Sequence, residues 1–291
     1  MKTPLKIIET KKSIRLSPTS VICWLKCPRE FYYHYILKLP TLPTIHMVKG
    51  NIVHKVLETF YKVYKEDLDK LMSEIFEKTW VKFKKKLDEL NLEKEELDIA
   101  KNDCKNIIDL HLLIFKTKIK GLTEVKKVEN EKHAFYTLRP KFRELWLEDK
   151  ELNLCGYVDR VHTGYDGKTT IGDYKTGSMF GIGINENYDL QTGIYALLYK
   201  RLEKKIADFT SVIFLRYGLE VRTRITPSLI KMALETVQRV RDKTTTDKIE
   251  DYPIKENKLC KWCNYFDKCS GVEKAEDKIR QTKVLEQMKA K

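Results

Sequence analysis

The stretch that decides the fold is Leu154-Cys-Gly-Tyr-Val-Asp-Arg-Val161, followed by Thr170-Ile-Gly-Asp-Tyr-Lys-Thr-Gly177. Both segments alternate between two sets of side chains, which predicts two neighbouring β-strands. Because alternate side chains of a strand share a face, we expect Asp173 and Lys175 to point the same way. Asp159 would stand beside Asp173 if the two strands pair.

Two carboxylates that converge with one ammonium group make a hard-oxygen site suited to Mg²⁺ or Mn²⁺. A cation there would activate water and offset the charge that develops on a phosphodiester, while Lys175 orients the water or stabilises the anion. The same residues could instead form a surface ion pair on a hairpin, because structural ion pairs are common. The spacing alone leaves both interpretations open.

Further polar candidates lie on predicted helices. His54 follows Gly50 early in an amphipathic helix. A lone histidine there is usually structural, although neutral imidazole is a good ligand beside carboxylates, and Glu58 is a weaker candidate on the same helix face. Gln191 and Tyr195 share another helix face, where they could hydrogen-bond a substrate phosphate or base, or simply line a wet helix flank.

A cysteine cluster follows the last predicted helix, with the spacing Cys260-x2-Cys263-x5-Cys269. In a long chain without an N-terminal secretion signal, metal ligation is favoured over a disulfide framework. Three thiolates need a fourth ligand, for which Cys27 is best placed and Cys23 is the alternate. An all-thiolate site holds either Zn²⁺ or an iron–sulfur cluster, and the spacing does not decide between them. Cysteines outside such a site are expected to be small buried hydrophobes: Cys23, Cys104 and Cys155.

The composition limits the class of protein. The 291 residues include 56 Lys and Arg against 42 Asp and Glu, a net charge of +14, and 42% are hydrophobic, which excludes disordered and fibrous chains. The positive surplus favours polyanionic partners, although a lysine-rich genome would place the same surplus on every solvated face. No apolar run approaches the roughly 20 residues of a membrane span. We therefore expect a soluble, cytoplasmic protein (or one of the host cytoplasm if it is viral), with no membrane partner.

The periodicity of apolar residues predicts three regions. Residues 1–125 should be mainly helical, 126–245 should form an α/β core, and 246–291 should hold the cysteine cluster and a charged tail. Helices are predicted from Ser17–Pro18 to Leu37, between Ile52 and Leu90 with a break near Glu66–Leu68, over Glu95–Lys118, over Asp189–Arg201 and from Thr226 to about Thr244. Strands are predicted at Ala134–Leu138, Leu145–Leu147, Leu152–His162, Thr169–Thr176, Thr210–Tyr217 and Glu220–Ile225.

Taken in order, six motifs resemble the PD-(D/E)xK nuclease superfamily, specifically its RecB-like branch with an iron–sulfur cluster. They are Cys-Pro-x-x-Phe at 27–31, Gly-x-x-x-His at 50–54, Gly-Tyr-Val-Asp at 156–159, Asp-Tyr-Lys-Thr-Gly at 173–177, Gln-x-x-x-Tyr at 191–195 and the three-cysteine cluster. That branch includes the AddB nuclease domain and the CRISPR-associated nuclease of spacer acquisition. The resemblance spans residues 16–270.

The resemblance implies an α/β fold of the restriction-endonuclease type: a mixed central sheet flanked by helices, with a helical N-terminal insert and a C-terminal cysteine cluster. It implies a divalent metal bound by His54, Asp159, Asp173 and the backbone carbonyl of Tyr174. Three residues would be catalytic: Asp159, Asp173 and Lys175. Two would bind substrate: Gln191 and Tyr195. Four would hold a [4Fe–4S] cluster: Cys27, Cys260, Cys263 and Cys269. The chain departs from many members in carrying Asp173 where they carry Glu, and in its long helical insert.

The function that the resemblance implies is a metal-dependent DNA nuclease, an exonuclease acting on single-stranded DNA or DNA ends in recombination, repair or end processing. The chain has no Gly-x4-Gly-Lys-Ser/Thr loop, so a helicase or recombination partner would be a separate protein. Two alternatives stay open. One is a catalytically weak DNA-binding scaffold of the same fold, and the other is a zinc-binding nucleic-acid module with incidental carboxylates. Visible absorption would exclude zinc, because Zn²⁺ is d¹⁰.

Overall fold

The computed structural model describes residues 14–177 and 186–269. The helices are α1 (Pro18–Lys26), α2 (Pro28–Phe31), α3 (Ile45–Phe60), α4 (Leu68–Lys82), α5 (Lys84–Asp88), α6 (Lys94–Glu124), α7 (Glu131–Leu138), α8 (Glu186–Glu203) and α9 (Pro227–Asp242). The strands are β1 (Phe142–Asp149), β2 (Leu154–Thr163), β3 (Thr169–Lys175), β4 (Phe209–Phe214) and β5 (Leu219–Arg224). Within these ranges no helix is long and apolar enough to span a membrane.

The chain divides into two compact units, residues 43–235 and residues 1–42 with 236–291. The predicted division at residues 125 and 245 stays a prediction. The larger unit contains the whole sheet, and the smaller one combines the described segments 14–42 and 236–269. The predicted charged tail lies outside the described residues.

The five strands lie in the order β1-β2-β3-β4-β5. The pair β3–β4 is parallel and the other three pairs are antiparallel, so the sheet is mixed. Helix α8 makes the crossover that a parallel pair requires. Gly218, with a φ of 61°, lies in the turn between β4 and β5, where a left-handed backbone favours glycine. A mixed sheet flanked by helices confirms the predicted α/β fold.

The two faces of the sheet contact different helices. On one face, Tyr174 and Ile213 join the apolar core that α3 and α6 supply. On the other face, α8 packs across the strands, and Gln191 reaches Asp173. Because successive side chains of a strand point to opposite faces, the side chains of Asp173 and Tyr174 lie on different faces of the sheet.

The ladder between β2 and β3 ends at the pair of Arg160 and Gly172, although β3 continues to pair with β4 as far as Lys175. The Arg160 side chain lies directly over Gly172, since a Cβ atom there would be 2.7 Å from Arg160 Nε. Beyond this pair the two strands separate and leave a notch. The notch is where Asp159 and Asp173 face each other without ladder hydrogen bonds.

Several predicted helix starts are confirmed by their capping contacts. The Ser17 side chain accepts a hydrogen bond from the Ser20 N–H, and the Thr226 side chain accepts one from the Leu229 N–H. Asp67 caps α4, which places the predicted break at the right point. These caps satisfy backbone donors that the first turn of a helix leaves open.

The strand predicted at residues 134–138 is wrong, because these residues end helix α7. The Asn130 side chain accepts a hydrogen bond from the His133 N–H at 2.9 Å and starts that helix. Phe135 is fully buried and contacts the rings of Phe60 and Phe115 edge-on. The aromatic composition favours a strand, but the cap and the packing of Phe135 decide for a helix. The strand predicted at 210–217 ends earlier, because residues 215–217 form a 3₁₀ turn.

The smaller unit is held together by tyrosines. Residues 32–36 form a π-helical turn after α2. Three phenol groups donate to backbone carbonyls of the opposite chain segment: Tyr32 to Asp247, Tyr33 to Lys268 and Tyr265 to Leu39. Phe31 stacks on Tyr252 with ring centroids 6.2 Å apart. The segments 31–39 and 247–268 are therefore joined by aromatic packing and hydrogen bonds, independently of any group that the cysteines bind.

A charged cluster joins α3, α6 and the segment after β4. Asp103 accepts two hydrogen bonds from the Arg216 guanidinium, at 2.5 and 2.7 Å, and one from Lys49 at 2.6 Å. The Arg216 hydrogen bonds are the largest cause of the lowered pKa of Asp103, about 2. Lys49 precedes His54 on α3, so this cluster fixes the helix that carries a predicted metal ligand.

We expect Asp103→Asn to lower the free energy of unfolding by about 1.5–3 kcal/mol at pH 7, the usual contribution of hydrogen bonds to a charged group. A native pKa below the unfolded value stabilises the fold above that value, so the effect should be complete above pH 3.8 and fade towards pH 2. Urea unfolding at several pH values measures it. Asp109→Asn is the control, because Asp109 forms an exposed pair with Lys105 on the same helix. Equal losses in both variants would contradict the prediction.

Candidate active site

The notch between β2 and β3 brings three ligand-type side chains together. His54 Nδ1 lies 3.2 Å from Asp159 Oδ1 and 3.7 Å from Glu144 Oε1. One possible ligand atom from each residue lies within 4.8 Å of the other two, and within the described parts of the chain this is the only such group of His, Cys, Asp or Glu. It combines α3, β1 and β2.

The Asp159 carboxylate is fixed by the backbone of β3. Its Oδ2 accepts a hydrogen bond from the Tyr174 N–H at 2.5 Å. That N–H lies just past the last pair of β2 and β3, so the carboxylate replaces the missing ladder partner. The Tyr174 ring lies edge-on to His54 with centroids 5.8 Å apart. Tyr174 therefore lies at the site, and metal binding by its carbonyl stays a prediction.

The second half of the site is a closed hydrogen-bond network. Lys175 Nζ lies 2.7 Å from Asp173 Oδ2 and donates to Gln191 Oε1 at 2.9 Å. The Gln191 amide nitrogen donates to Asp173 Oδ1 at 2.9 Å and to the Tyr195 hydroxyl at 3.3 Å. One amide thus orients both charged groups. The predicted residues of β3 and α8 are brought together.

Helix α3 passes close to the end of β3 at Gly50. A Cβ atom on Gly50 would lie 3.4 Å from Thr176 Oγ1, at the limit of ordinary van der Waals contact. His54 follows Gly50 by one turn on the same helix face. Glu58, the weaker candidate, instead pairs with Lys55 and Lys62.

Burial sets the protonation of the site. Burial raises the pKa of Asp173 to about 6, assisted by the neighbouring Asp159 and opposed by Lys175. Burial lowers the pKa of His54, but hydrogen bonds to Asp159 and Glu144 outweigh it and raise the pKa to about 10. Burial also raises the pKa of Tyr195 well above its usual range, so the phenol keeps its proton. The carboxylates thus hold a positive imidazole in place, and its proton would have to leave when a metal binds.

Glu144 is the site residue that the sequence prediction missed. Its φ is 49°, a left-handed conformation that is rare for a residue with a side chain, and it is left out of the β1–β2 ladder between Arg143 and Leu145. Such strain costs of order 1–3 kcal/mol and is often found at functional sites. In the sequence, Glu144 is simply a glutamate immediately before a predicted strand. Its role could not be predicted, because no sequence pattern indicates backbone strain.

The residues fit a divalent cation of the Mg²⁺ or Mn²⁺ type. Three carboxylates and one imidazole are the donors that such ions accept. Asp173 Oδ2 is buried and accepts no hydrogen bond of regular geometry, although the Lys175 ammonium is close to it. The acidic character of this donor set suits a divalent cation.

In the smaller unit, the four predicted cysteines line one pocket. Its wall contains Cys27, Cys260, Cys263 and Cys269. Cys23 is not among its lining residues, which favours Cys27 as the fourth ligand. All seven cysteines lie within the described residues and none of them forms a disulfide there; Cys104 and Cys155 are buried as expected. Cys23 is only half-buried.

A family model of the PD-(D/E)XK nuclease superfamily matches residues 15–270. The chain belongs to the PD-(D/E)XK nuclease superfamily. Membership supports a phosphodiester hydrolase and is consistent with the carboxylates and lysine of the notch. The superfamily typically uses Mg²⁺ or Mn²⁺, which agrees with the donors described above.

One solved structure shows the same fold. A crystal structure of a candidate exonuclease from Eubacterium rectale is similar over 94% of this chain and 100% of its own, with 11% identity and a TM-score of 0.51. A structure named SSO0001 aligns over 77% of this chain and 96% of its own, with 15% identity, but its TM-score is only 0.27. No curated protein matches the chain.

We expect Glu144→Ala to weaken Mn²⁺ binding by at least about tenfold, because one donor of the site is lost. Isothermal titration calorimetry measures the affinity, with Glu129→Ala as the control, since Glu129 is an exposed carboxylate away from the site. Glu144→Gly should bind Mn²⁺ as weakly as Glu144→Ala and yet be about 1 kcal/mol more stable, because glycine adopts a positive φ without strain. Wild-type affinity in both variants would remove Glu144 from the site.

Proposed function

We propose that the protein is a metal-dependent deoxyribonuclease, an exonuclease that acts on single-stranded DNA or DNA ends. The observation that carries the proposal is the position of Lys175, which Asp173 and Gln191 hold beside the group of His54, Glu144 and Asp159. A structural ion pair needs no such neighbours. Nor does a scaffold need a buried carboxylate that is paired with a lysine beside two further acidic groups.

In hydrolysis, the site residues would have different roles. Four side chains and the backbone carbonyl of Tyr174 would hold the metal; the side chains are those of His54, Glu144, Asp159 and Asp173. When bound, the cation would supply Lewis-acid stabilisation of the developing negative charge. The Lys175 ammonium donates a hydrogen bond to Gln191 Oε1. It would orient the attacking water or donate to the phosphate oxygen. Tyr195 keeps its proton and can serve as a hydrogen-bond donor to the substrate.

Degradation of end-labelled DNA with Mn²⁺ or Mg²⁺ tests the proposal. Wild type should degrade linear single strands, and Lys175→Ala should lower the rate by roughly 100-fold or more, as the loss of a transition-state donor does. Lys168→Ala is the matched control, because Lys168 is an exposed lysine on the hairpin between β2 and β3. It should cut as wild type does.

The substrate form separates the exonuclease from other activities. Closed circular single strands should resist digestion, and the ladder of products should give the polarity. Rapid cutting of circles would refute end dependence while leaving a nuclease. A folded, metal-bound wild type that binds DNA and cuts none of these substrates would instead establish the scaffold alternative.

We also propose that the four-cysteine pocket holds a [4Fe–4S] cluster, which would place the chain in the RecB-like branch. Among the described cysteines no three have sulfurs that all lie within 4.8 Å of one another. In a tetrahedral zinc site, with Zn–S bonds of about 2.3 Å, the sulfurs would be about 3.8 Å apart. Wider spacing around a shared pocket favours the larger group. Such a cluster fits a reducing compartment such as the cytoplasm.

Cys260→Ser should lower iron content and folded yield more than it changes the chemistry of the protein that does fold. The group would link the two ends of the chain, so its loss should loosen the smaller unit. Iron analysis and the absorption near roughly 400 nm measure loading, since zinc has no visible band. Cys155→Ser is the control, because Cys155 is buried in β2, outside the pocket. Stoichiometric zinc without iron in the wild type would overturn the cluster.

For partners, we propose DNA with unpaired strands or free ends. The net charge of +14 supports a polyanionic partner. A helicase or recombination protein that generates such ends would be a separate chain.

A further inference from the structure

Two aromatic residues lie near the candidate active site, on the edge strand β1 and on its neighbour β2. Trp146 of β1 and Tyr157 of β2 are direct partners in the ladder, with ring centroids 4.6 Å apart. Tyr157 precedes Asp159 by two residues. Residues two apart in a strand are separated by roughly 7 Å, so the ring pair lies a short distance along β2 from the residue that carries the site carboxylate.

Both rings are partly exposed to solvent. Trp146 is 39% exposed and Tyr157 is 56% exposed, whereas Val158 and Leu147 on the opposite face of the same strands are buried. Two large rings that meet each other on an exposed face offer a flat apolar surface to a ligand.

We propose that Trp146 and Tyr157 form a stacking subsite for one unpaired nucleobase of the strand being cut. The inference rests on the proposed nuclease function and adds its substrate class. Every base has a flat π-face, so such a subsite tolerates any sequence. A base stacked there would belong to a nucleotide adjacent to the phosphate held at the notch.

The subsite discriminates between single and double strands. In a duplex both faces of each base are already covered by its neighbours, so a base reaches the rings only after unpairing and unstacking. An unpaired strand bears no such cost. The rings therefore favour single strands and frayed ends over intact duplex, without any contact to base edges.

The test compares DNA binding and cutting by four proteins. Trp146→Ala/Tyr157→Ala removes both rings, and Trp146→Phe/Tyr157→Phe keeps two flat rings. Tyr165→Ala is the control, because Tyr165 is a 61% exposed aromatic on the neighbouring hairpin. Fluorescence anisotropy in EDTA measures the binding of a labelled single strand and of the matching duplex, and circular dichroism checks folding.

We expect the alanine pair to bind the single strand roughly 5- to 100-fold more weakly, as the loss of one or two stacking contacts predicts. Duplex binding should not change, and the phenylalanine pair and Tyr165→Ala should bind as wild type does. An abasic nucleotide should reproduce the loss at one position near the cut and have little further effect on the alanine pair.

The outcomes separate this inference from the function on which it rests. Equal single-strand binding by the wild type and a folded alanine pair overturns the subsite, even if wild type cuts DNA. A wild type that binds through the rings but cuts no substrate refutes the nuclease and leaves the subsite in place. If the alanine pair loses duplex and single-strand binding equally, the rings do not select for unpaired bases and the inference fails.

Discussion

The candidate site depends on one hydrogen bond, from the Tyr174 N–H to the Asp159 carboxylate. Two antiparallel strands that separate leave unpaired backbone groups, and a buried unpaired N–H is costly. Asp159 satisfies this donor with a side chain in place of a backbone carbonyl. The notch can therefore open without leaving the N–H unpaired, and the same bond aims the carboxylate into it. Arg160, lying over Gly172, marks the point where the strands part.

Near this hydrogen bond, two local features destabilise the folded state, and the rest of the fold offsets their cost. Asp173 is buried with one oxygen lacking a regular hydrogen bond, and Glu144 has a left-handed backbone. Both features would be eliminated if stability alone mattered. The charged cluster at Asp103 and the core beneath Tyr174 hold the surrounding helices and strands in place. Rigid surroundings are what allow a strained, acidic site to keep its geometry.

Much of this arrangement could be predicted from the sequence because it follows from short-range periodicity. Two-residue alternation placed Asp173 and Lys175 on one face, and helical spacing placed Gln191 beside Tyr195. The hydrogen bonds between these pairs depend on how α8 crosses the sheet, which periodicity does not specify. The strand expected at 134–138 failed for a similar reason, since a cap at Asn130 and tertiary packing of Phe135 outweigh local composition.

The reason why Glu144 was not predicted differs from the reason why the metal and cluster assignments remain untested. Glu144 escaped because its role comes from a backbone angle and from its position opposite Asp159 on a neighbouring strand. The metal and cluster assignments remain predictions, because neither group is specified by protein geometry alone. The stacking rings illustrate the same limit. Trp146 and Tyr157 look like ordinary strand residues until the register shows that they are partners beside the site.

The most direct test of the account is a crystal structure with Mn²⁺, using anomalous diffraction at the manganese edge. The account predicts a strong peak in the notch between β2 and β3, within bonding distance of Asp159 and Asp173 and beside His54. A fully occupied Mn²⁺ elsewhere, with none in the notch of an enzyme that still cuts DNA, would contradict it.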